Sequence, residues 1–334
     1  MAAIPKTKVA VIGGGSWATA LVKMLTDNKV DVSWWMRDIE SVNYINKFHH
    51  NPRYIPGAQL KLKKGAVSND LRKVVAQARF VIMAVPAAFL KEALQKLSPS
   101  DLADKVVVSA IKGMIPNENL LIANFFFKYF NTQETHFLVI SGPCHAEEVA
   151  QEKLSYLTIA GQDATVAGEF AALLRNRYMN ANVSEDIYGT EYAAVMKNIY
   201  ALAGGIAHGL GYGDNFIAVL ISNAIIELKR FLREVYPIKR DIKESAYLGD
   251  LLVTAYSQHS RNRTFGNMIG KGYSVRSAQF EMAMVAEGYY ASKSLHQLNL
   301  KYKVDMPIAE TVYRILYEGA SAKEEFAALT EALR

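Results

Sequence analysis

The stretch KVAVIGGGSWA at residues 8–18 decides the fold, because a short apolar run in it opens into three consecutive glycines. The Val and Ile run predicts a buried strand, and the residues that follow have the spacing of a helix. Gly13-x-Gly15-x-x-Ala18 therefore lies between a strand and a helix. In that context the first glycine permits a tight turn, the second lets the backbone approach a pyrophosphate, and the small third residue packs helix against strand. The stretch predicts a dinucleotide site; the alternative is a glycine-rich turn that binds nothing.

The rest of the first half repeats the alternation of strand and helix. Near-continuous apolar runs predict parallel strands that are covered on both faces; besides the opening run they are VDVSWWMR, RFVIMAVP, KVVVSAIKG, THFLVISGP and LSYLTIAG. Beyond about residue 185 every long segment has a helical pattern, and the polar segment MNANVSEDIYGTE separates the two regions. A chain of 334 residues also exceeds one ordinary core. The sequence therefore predicts a Rossmann-like, doubly wound, mostly parallel sheet in a dinucleotide-binding domain at 1–185. An all-helical, substrate-binding and catalytic C-terminal domain follows at 186–334.

Composition narrows the class of protein. Hydrophobic residues make up 51% and charged residues 21% of the chain, as in soluble enzymes. Lys and Arg exceed Asp and Glu by 38 − 32 = 6, without a basic block that would indicate a nucleic-acid partner. Cys144 is the single cysteine, which fits a reducing compartment, and the histidines lack metal-ligand spacing. We expect a cytoplasmic protein that binds a small molecule, holds no metal and does not insert into membranes.

Several functional side chains follow predicted strands, where ligands bind in open α/β sheets. Arg37 and Asp38 follow the second strand, and they point to different cofactors: Asp is typical of NAD sites, whereas Arg can meet the 2′-phosphate of NADP. Lys112 brings a cation to the same edge, and Gly142 begins a turn there. Cys144 in that turn is more typical of a small buried residue than of a nucleophile. NAD and NADP both remain open.

Lys197 is the only charged residue between Tyr192 and Ala207. A helix that is apolar or small all round is buried, and burial lowers the pKa of a lysine towards the range useful for proton transfer. The pattern predicts a catalytic or substrate-binding lysine, with Asn198 beside it as a neutral donor.

Two further groups accompany this lysine. Asp250 precedes an apolar helical turn and could orient a lysine ammonium by charge pairing. Ser260, Arg261 and Asn262 have the pattern of a helix start, which favours an anion through its N–H groups and the arginine. A capped helix with a surface arginine is the alternative.

These motifs together resemble one family. In chain order they are GGGSWATA, NPRYIPG, MAVP, SAIKG, SGPCHAEE, VMKNIYALAGGIAHGLGYGDN, GDLLVT and SRNRTFG. They resemble the bacterial NAD(P)-dependent sn-glycerol-3-phosphate dehydrogenase family over nearly the whole chain. The resemblance implies NAD or NADP as cofactor and reversible hydride transfer between NAD(P)H and dihydroxyacetone phosphate. It also implies a homodimer, and a product, sn-glycerol 3-phosphate, that serves phospholipid synthesis.

The resemblance also implies roles for individual residues, with Lys197 as general acid and base. The catalytic set is Lys112, Lys197 and Asp250. The substrate set is Lys112, Gly142, Cys144, Lys197, Asn198, Asp250, Ser260, Arg261 and Asn262. The cofactor set is Gly13, Gly15, Ser16, Trp17, Arg37, Lys112, Ala146, Arg261, Val285 and Glu287. Cys144 departs from the family pattern, which usually has Ser or Thr there, both stronger hydrogen-bond donors.

Two other functions fit parts of the pattern. A 3-hydroxyacid dehydrogenase of similar two-domain build also uses a helix lysine and asparagine, with a carboxylate substrate. A non-catalytic dinucleotide sensor would need the glycine loop but has no use for a buried Lys197.

Overall fold

The computed structural model describes residues 8–282 and 286–334, and the chain packs into two compact units. The first unit ends at Ile187. The second contains Tyr188–Arg334 together with two short segments from the first half, Pro86–Ala88 and Lys112–Leu121. Lys112 therefore packs with the helical half, although it follows a strand of the sheet.

An eight-stranded sheet forms the centre of the first unit. Its strands are β1 (Lys8–Ile12), β2 (Asp31–Trp35), β3 (Val67–Ser68), β4 (Phe80–Met83), β5 (Val106–Ser109), β6 (Phe137–Ser141), β7 (Ser155–Ala160) and β8 (Met179–Ser184). The order is β3-β2-β1-β4-β5-β6-β7-β8, and every neighbouring pair is parallel except β6 and β7. The strand order reverses between β1 and β4, and the crevice at such a switch point is where open sheets bind ligands. The predicted fold class is confirmed.

The sequence patterns did not predict two of the eight strands, β3 and β8. β3 has only two residues, too few to show any periodicity. β8 forms the first six residues of the polar segment MNANVSEDIYGTE, whose composition did not indicate a strand. Met179 and Ala181 are buried while Asn180 and Asn182 are exposed, because β8 is an edge strand covered on one face only.

Among the described residues, eight α-helices connect the strands of the first unit: α1 (Ser16–Asp27), α2 (Ile39–Phe48), α3 (Leu71–Ala76), α4 (Leu90–Leu94), α5 (Pro99–Leu102), α6 (Ile122–Phe130), α7 (Ala146–Ala150) and α8 (Ala164–Leu174). In α1 the residues from Ala18 to Thr26 are all buried. The small Ala18 lets this helix pack closely, as the third position of the glycine motif requires.

The described residues of the second unit form helices and connecting loops and contain no strand, only one isolated bridge between Ile115 and Leu120. Its helices are α9 (Ile187–Gly209), α10 (Asp214–Val235), α11 (Asp250–Tyr256), α12 (Arg261–Gly270), α13 (Val275–Glu281), α14 (Glu287–Tyr302), α15 (Pro307–Tyr313) and α16 (Ala322–Ala332). In the parts of the chain that the structure describes, no helix combines the length and apolar character needed to cross a bilayer.

Glycines let α9 and α12 cross at close range. A methyl group on Gly205 would overlap the carbonyl of Arg263, and one on Gly266 would overlap the carbonyl of Leu202. Glycine permits such an approach because it has no Cβ. The crossing fixes α12, and with it the start of α12, against the helix that carries Lys197.

Candidate active site

The glycine loop has the geometry of an anion cradle. Gly13 has φ 132°, and a methyl group there would overlap the carbonyl of Ala84, so only glycine fits. Gly15 is the N-cap of α1, and as a glycine it has no side chain to accept hydrogen bonds from the first N–H groups of the helix. No heavy atom of the described residues lies within 4 Å of a Cβ built on Gly15. The space beside Gly15 is therefore open. The first N–H groups of a helix have no partner within the helix, so the start of α1 at Ser16 suits a pyrophosphate.

Two tryptophans bracket this loop. The indole N–H of Trp34 donates to the carbonyl of Gly13 at 2.6 Å and fixes the turn. The indole nitrogen of Trp17 is buried and has no hydrogen-bond partner among the described residues. A buried donor without an acceptor is rare in folded proteins. Because Trp17 lies in the first turn of α1, its donor fits a ligand oxygen, and the loop as a whole fits NAD(P).

Asn51 ties a second segment to the glycine loop. Its amide is fully buried and donates to the carbonyl of Gly14 at 3.1 Å and to the hydroxyl of Thr19 at 2.9 Å. Its carbonyl accepts from the N–H groups of Arg53 and Tyr54 at 3.0 and 3.2 Å. The sequence motif NPRYIPG contained this residue, but no role followed from the sequence. Its contacts hold the segment that carries Arg53 beside the glycine loop.

Arg37 and Asp38 lie beyond the end of β2. The side chain of Arg37 is 81% exposed and lies 3.6 Å from Glu92, which is also exposed. Asp38 caps α2, and its carboxylate accepts from the N–H groups of Glu40 and Ser41 and from the Ser41 hydroxyl. The Ser41 hydroxyl, more than any other group, lowers the pKa of Asp38.

Gly142, Cys144 and Ala146 follow β6 in the first unit. Gly142 has φ 114°, and a methyl group there would lie 2.8 Å from the carbonyl of Tyr156. The thiol of Cys144 is buried and donates to the same carbonyl at 3.2 Å. Ala146 begins α7. The structure keeps these three residues together at one strand end.

Lys197 and Asp250 form a buried ion pair in the second unit. Lys197 is 5% exposed and Asp250 is 1% exposed. The Lys197 ammonium donates to Oδ1 of Asp250 and, at 3.0 Å, to the hydroxyl of Thr254. Lys112 Nζ lies 3.2 Å from Oδ2 of the same carboxylate. One carboxylate thus serves two ammonium groups.

The pKa of Lys197 is lowered to about 7. Burial is the main cause, since it penalises the charged form; the neighbouring charge of Lys112 acts in the same direction, and Asp250 opposes both. The two lysines hold the pKa of Asp250 below its usual value, although burial alone would raise it. The site therefore contains a lysine that can gain or lose a proton near neutral pH.

A chain of contacts links this cluster to the start of α12. The amide of Asn198 donates to the carbonyl of Lys112 at 2.8 Å. A methyl group on Gly288 would lie 2.7 Å from the carbonyl of Asn198, so α14 packs closely on α9. The Gly288 N–H in turn donates to Oδ1 of Asn262 at 2.9 Å. Ser260 caps α12 through the N–H of Arg263, as its sequence pattern predicts.

Glu287 packs against the two segments that come from the first half of the chain. Its Oε1 accepts from the Ala87 N–H at 3.1 Å, and a methyl group on Gly113 would lie 2.6 Å from Oε2. Burial raises the pKa of Glu287 to about 7, while the Ala87 N–H and the charge of Arg261 act against that shift. Val285, the other residue predicted in this stretch, lies outside the described residues.

The sequence singled out Asp250 but missed Thr254. Thr254 is buried, and its hydroxyl donates to the Asp250 carbonyl at 2.6 Å while it accepts from Lys197. A π-helical turn, Ser245–Gly249, immediately precedes Asp250; such turns often occur at functional sites. Position 254 lies one helical turn after Asp250, so the spacing could have indicated that the two side chains share a face. Within residues 8–282 and 286–334, no three His, Cys, Asp or Glu side chains are grouped to hold a metal.

Comparison with known proteins gives consistent matches. The family model for the N-terminus of NAD-dependent glycerol-3-phosphate dehydrogenase matches residues 8–167, and the model for the C-terminus matches residues 186–327. A Bacillus subtilis protein named glycerol-3-phosphate dehydrogenase [NAD(P)+] is 36% identical over 314 residues, which cover 93% of this chain and 90% of the relative. One from Carboxydothermus hydrogenoformans is 33% identical, with 95% of this chain and 94% of the relative covered.

A solved structure is similar over nearly its full length. The crystal structure of glycerol-3-phosphate dehydrogenase from Coxiella burnetii superposes with a TM-score of 0.91 at 27% identity. The match covers 98% of this chain and 99% of that one.

Proposed function

The chain belongs to the NAD-dependent glycerol-3-phosphate dehydrogenase family, and from that premise we propose that it interconverts dihydroxyacetone phosphate and sn-glycerol 3-phosphate. The observation that carries the proposal is the buried ammonium of Lys197, bonded to Asp250 and Thr254 and accompanied by Lys112. A cluster with two lysines and one carboxylate carries an excess positive charge, which suits a phosphorylated substrate. A bound nicotinamide cofactor supplies or accepts the hydride.

Lys197 is the proton donor and acceptor in this proposal. Reduction of a ketone builds negative charge on its oxygen, and an ammonium group beside that oxygen stabilises the charge and donates a proton. In the oxidative direction the neutral amine takes the proton from the alcohol. A pKa of about 7 allows Lys197 to be present in both forms at neutral pH. Asp250 and Thr254 hold the amine in place.

The phosphate of the substrate is assigned to the start of α12. Arg261 is the first residue of this helix, and Asn262 follows it. A helix N-terminus favours an anion through its N–H groups, and an arginine adds a charge-assisted bond. Lys112 adds a second cation in the same unit. Gly142 and Cys144, in the first unit, remain predicted contacts to the substrate.

The proposal also covers the location of the enzyme, its oligomeric state and the use of its product. We infer a cytoplasmic enzyme that acts as a homodimer, and a product that serves phospholipid synthesis. Light scattering coupled to size-exclusion chromatography checks the homodimer, because a mass of one chain (37.1 kDa) would contradict it.

The two alternatives predict different reactions. A 3-hydroxyacid dehydrogenase would reduce keto acids, and a dinucleotide sensor would bind the cofactor without turnover. The family matches support the phosphorylated triose over the keto acid, and the buried Lys197 supports an enzyme over a sensor.

One assay tests the proposal directly. Oxidation of NADH and of NADPH is followed with dihydroxyacetone phosphate, with 2-keto and 3-keto acids, and with no substrate. We expect turnover with dihydroxyacetone phosphate and a loss of about 10²–10⁴-fold in kcat for Lys197→Ala, the range for a lost general acid. Lys229→Ala, which removes an exposed lysine of α10, is the matched control. Comparable turnover of keto acids, or near-normal activity of Lys197→Ala, would contradict the proposal.

A further inference from the structure

We propose that Lys23 and Glu152 are positioning residues of the first unit. Their ion pair ties α1, which begins at the glycine loop, to the end of α7, which begins directly after the turn that contains Gly142 and Cys144. The pair thereby fixes this turn where it meets the substrate. The inference rests on the proposed function for the contact between the turn and dihydroxyacetone phosphate, and it gives the pair a role that the sequence did not indicate.

A lysine lies within the buried part of α1. The side chain of Lys23 is 7% exposed, and its ammonium lies 2.6 Å from Oδ2 of Asp27 and 2.9 Å from Oε1 of Glu152. Burial alone would lower the pKa of Lys23, but the two carboxylates raise it above its usual value. A buried ion pair adds little net stability, because both charges lose their hydration. A role in fixing two helices relative to one another explains the lysine better than stability does.

Glu152 reaches this lysine from an unfavourable backbone conformation. It follows α7 with φ 59°, in the left-handed region that favours glycine at the end of a helix. Its N–H donates to the carbonyl of Val149 at 2.9 Å, and its carboxylate contacts both Lys23 and Arg177. The backbone here would favour glycine. What the glutamate adds is the carboxylate, and that carboxylate reaches α1.

Lys23 is the member of this charge cluster that joins the two helices. Lys61 lies 2.8 Å from Oδ1 of Asp27, and Arg177 contacts Glu152, whereas Lys23 contacts both carboxylates. Asp27 keeps Lys61 and Glu152 keeps Arg177 when the Lys23 ammonium is removed. A neutral residue at position 23 therefore separates the helices electrostatically without leaving a carboxylate unpaired.

The turn before α7 is held from two sides. On one side the thiol of Cys144 donates to the carbonyl of Tyr156 on β7 at 3.2 Å. On the other side Glu152 binds Lys23, which lies two helical turns, or about 10 Å, along α1 from Ser16. Because α7 has five residues, a shift of Glu152 is carried to the turn over a short distance. Loss of the ion pair should therefore leave the turn held on the β7 side alone.

The thiol of Cys144 reports the state of the turn without turnover, because this is the only cysteine of the chain. Lys23→Met keeps the apolar stem and removes the charge, and Glu152→Gly removes the carboxylate. We expect iodoacetamide, followed by intact mass, to modify Cys144 about tenfold faster in both variants, since a less firmly held segment opens more often. Lys61→Met removes an exposed cation of the same cluster and should stay within about twofold. An unchanged rate in either Lys23→Met or Glu152→Gly would overturn the inference.

The glycine variant separates positioning from stability. Glu152→Gly removes an ion pair and an unfavourable φ together, so we expect its urea midpoint to stay close to that of the unchanged protein. A faster thiol reaction at an unchanged midpoint supports the inference, whereas a rate that only follows the midpoint would contradict it. The double variant of Lys23→Met and Glu152→Gly should react no faster than the faster single variant, because the pair can be lost only once. Effects that multiply would show two independent roles and contradict the pairing.

Kinetics connect the pair to the substrate. At saturating cofactor, both variants should raise the KM for dihydroxyacetone phosphate about tenfold with a smaller change in kcat, since a displaced contact weakens binding. The Kd of adenosine 5′-diphosphate, the probe for the glycine loop, should stay within about twofold. An unchanged KM would contradict the inference and leave the proposed function intact. If the unchanged protein does not reduce dihydroxyacetone phosphate, the proposed function is contradicted, and the thiol rates still decide whether the pair holds the turn.

Discussion

The ammonium of Lys197 donates to the carboxylate of Asp250 although both side chains are almost completely buried. A buried pair of this kind gains little net stability, because desolvation offsets most of the attraction. Its presence is better explained by chemistry than by folding. Lys112 shares the carboxylate, so Asp250 alone cannot neutralise the cluster. Burial lowers the pKa of Lys197, and the charge of Lys112 acts in the same direction. The residual positive charge of the cluster favours an anionic substrate.

The rate should depend on pH with opposite sign in the two directions. Reduction needs the Lys197 ammonium, so its rate should fall as pH rises through about 7, and oxidation, which needs the neutral amine, should rise there. Profiles of kcat against pH in both directions measure this. The control is Glu287→Gln, because burial also raises the pKa of Glu287 to about 7. The fall in the reduction rate near pH 7, called the reductive limb below, should persist in this variant. A limb that disappears with Glu287→Gln would assign the titration to Glu287 instead.

Replacing Asp250 by Asn should shift that reductive limb to lower pH. The charge of Asp250 raises the pKa of Lys197, so its loss leaves burial and Lys112 to lower the pKa further. We also expect a loss of about 3–5 kcal/mol in the free energy of unfolding, as for a buried charge that loses its partner. Denaturant titration measures the loss. Asp305→Asn, which affects an exposed pair with Arg230, should stay within about 0.5 kcal/mol. A limb that stays in place would contradict the pairing.

Thr254→Val should reduce kcat about tenfold, since the hydroxyl that accepts a hydrogen bond from the Lys197 ammonium is lost. Valine keeps the volume but removes the acceptor of Lys197, so the reductive limb should also move to lower pH. Thr254→Ser, which keeps the hydroxyl, is the matched control. Its kcat and the pH of its reductive limb should stay close to those of the unchanged protein. An unchanged pH profile in the valine variant would show that Thr254 only packs in the site and does not stabilise the Lys197 ammonium.

Two adjacent glycines of α9 should respond oppositely to alanine. A methyl group on Gly205 overlaps the carbonyl of Arg263, so Gly205→Ala should lower the free energy of unfolding by about 1–3 kcal/mol. Gly204→Ala meets no heavy atom of the described residues within 4 Å and should raise it by up to about 1 kcal/mol through helix propensity. Urea titration of both variants measures the difference. Equal effects would show that α9 and α12 do not depend on their close crossing.

Features that depend on local sequence were predictable. The strand, glycine turn and helix around Gly13 follow from neighbouring residues, and so does the Ser260 cap of α12. The burial of Lys197 followed from the apolar residues around it in one helix. In each case the deciding contacts lie within a few turns of the chain.

Features that depend on distant contacts were not predictable. Thr254 gains its role from Lys197, which lies on another helix, and Asn51 gains its role from Gly14 and Thr19. β8 was missed because its polar residues face solvent at the sheet edge. A single sequence shows such residues as ordinary polar positions, since nothing nearby marks their partners.

The packing of Lys112 with the helical half makes that half discontinuous in sequence. A gene fragment that begins at residue 186 would encode Lys197 and Asp250 but leave behind the second cation and the Ala87 N–H that holds Glu287. Such a fragment would present a one-to-one ion pair without the excess positive charge. A single crossover at residue 186 leaves the segments 86–88 and 112–121 with the N-terminal half. An exchange of halves between relatives therefore works only if these segments match the helical half that replaces the original one.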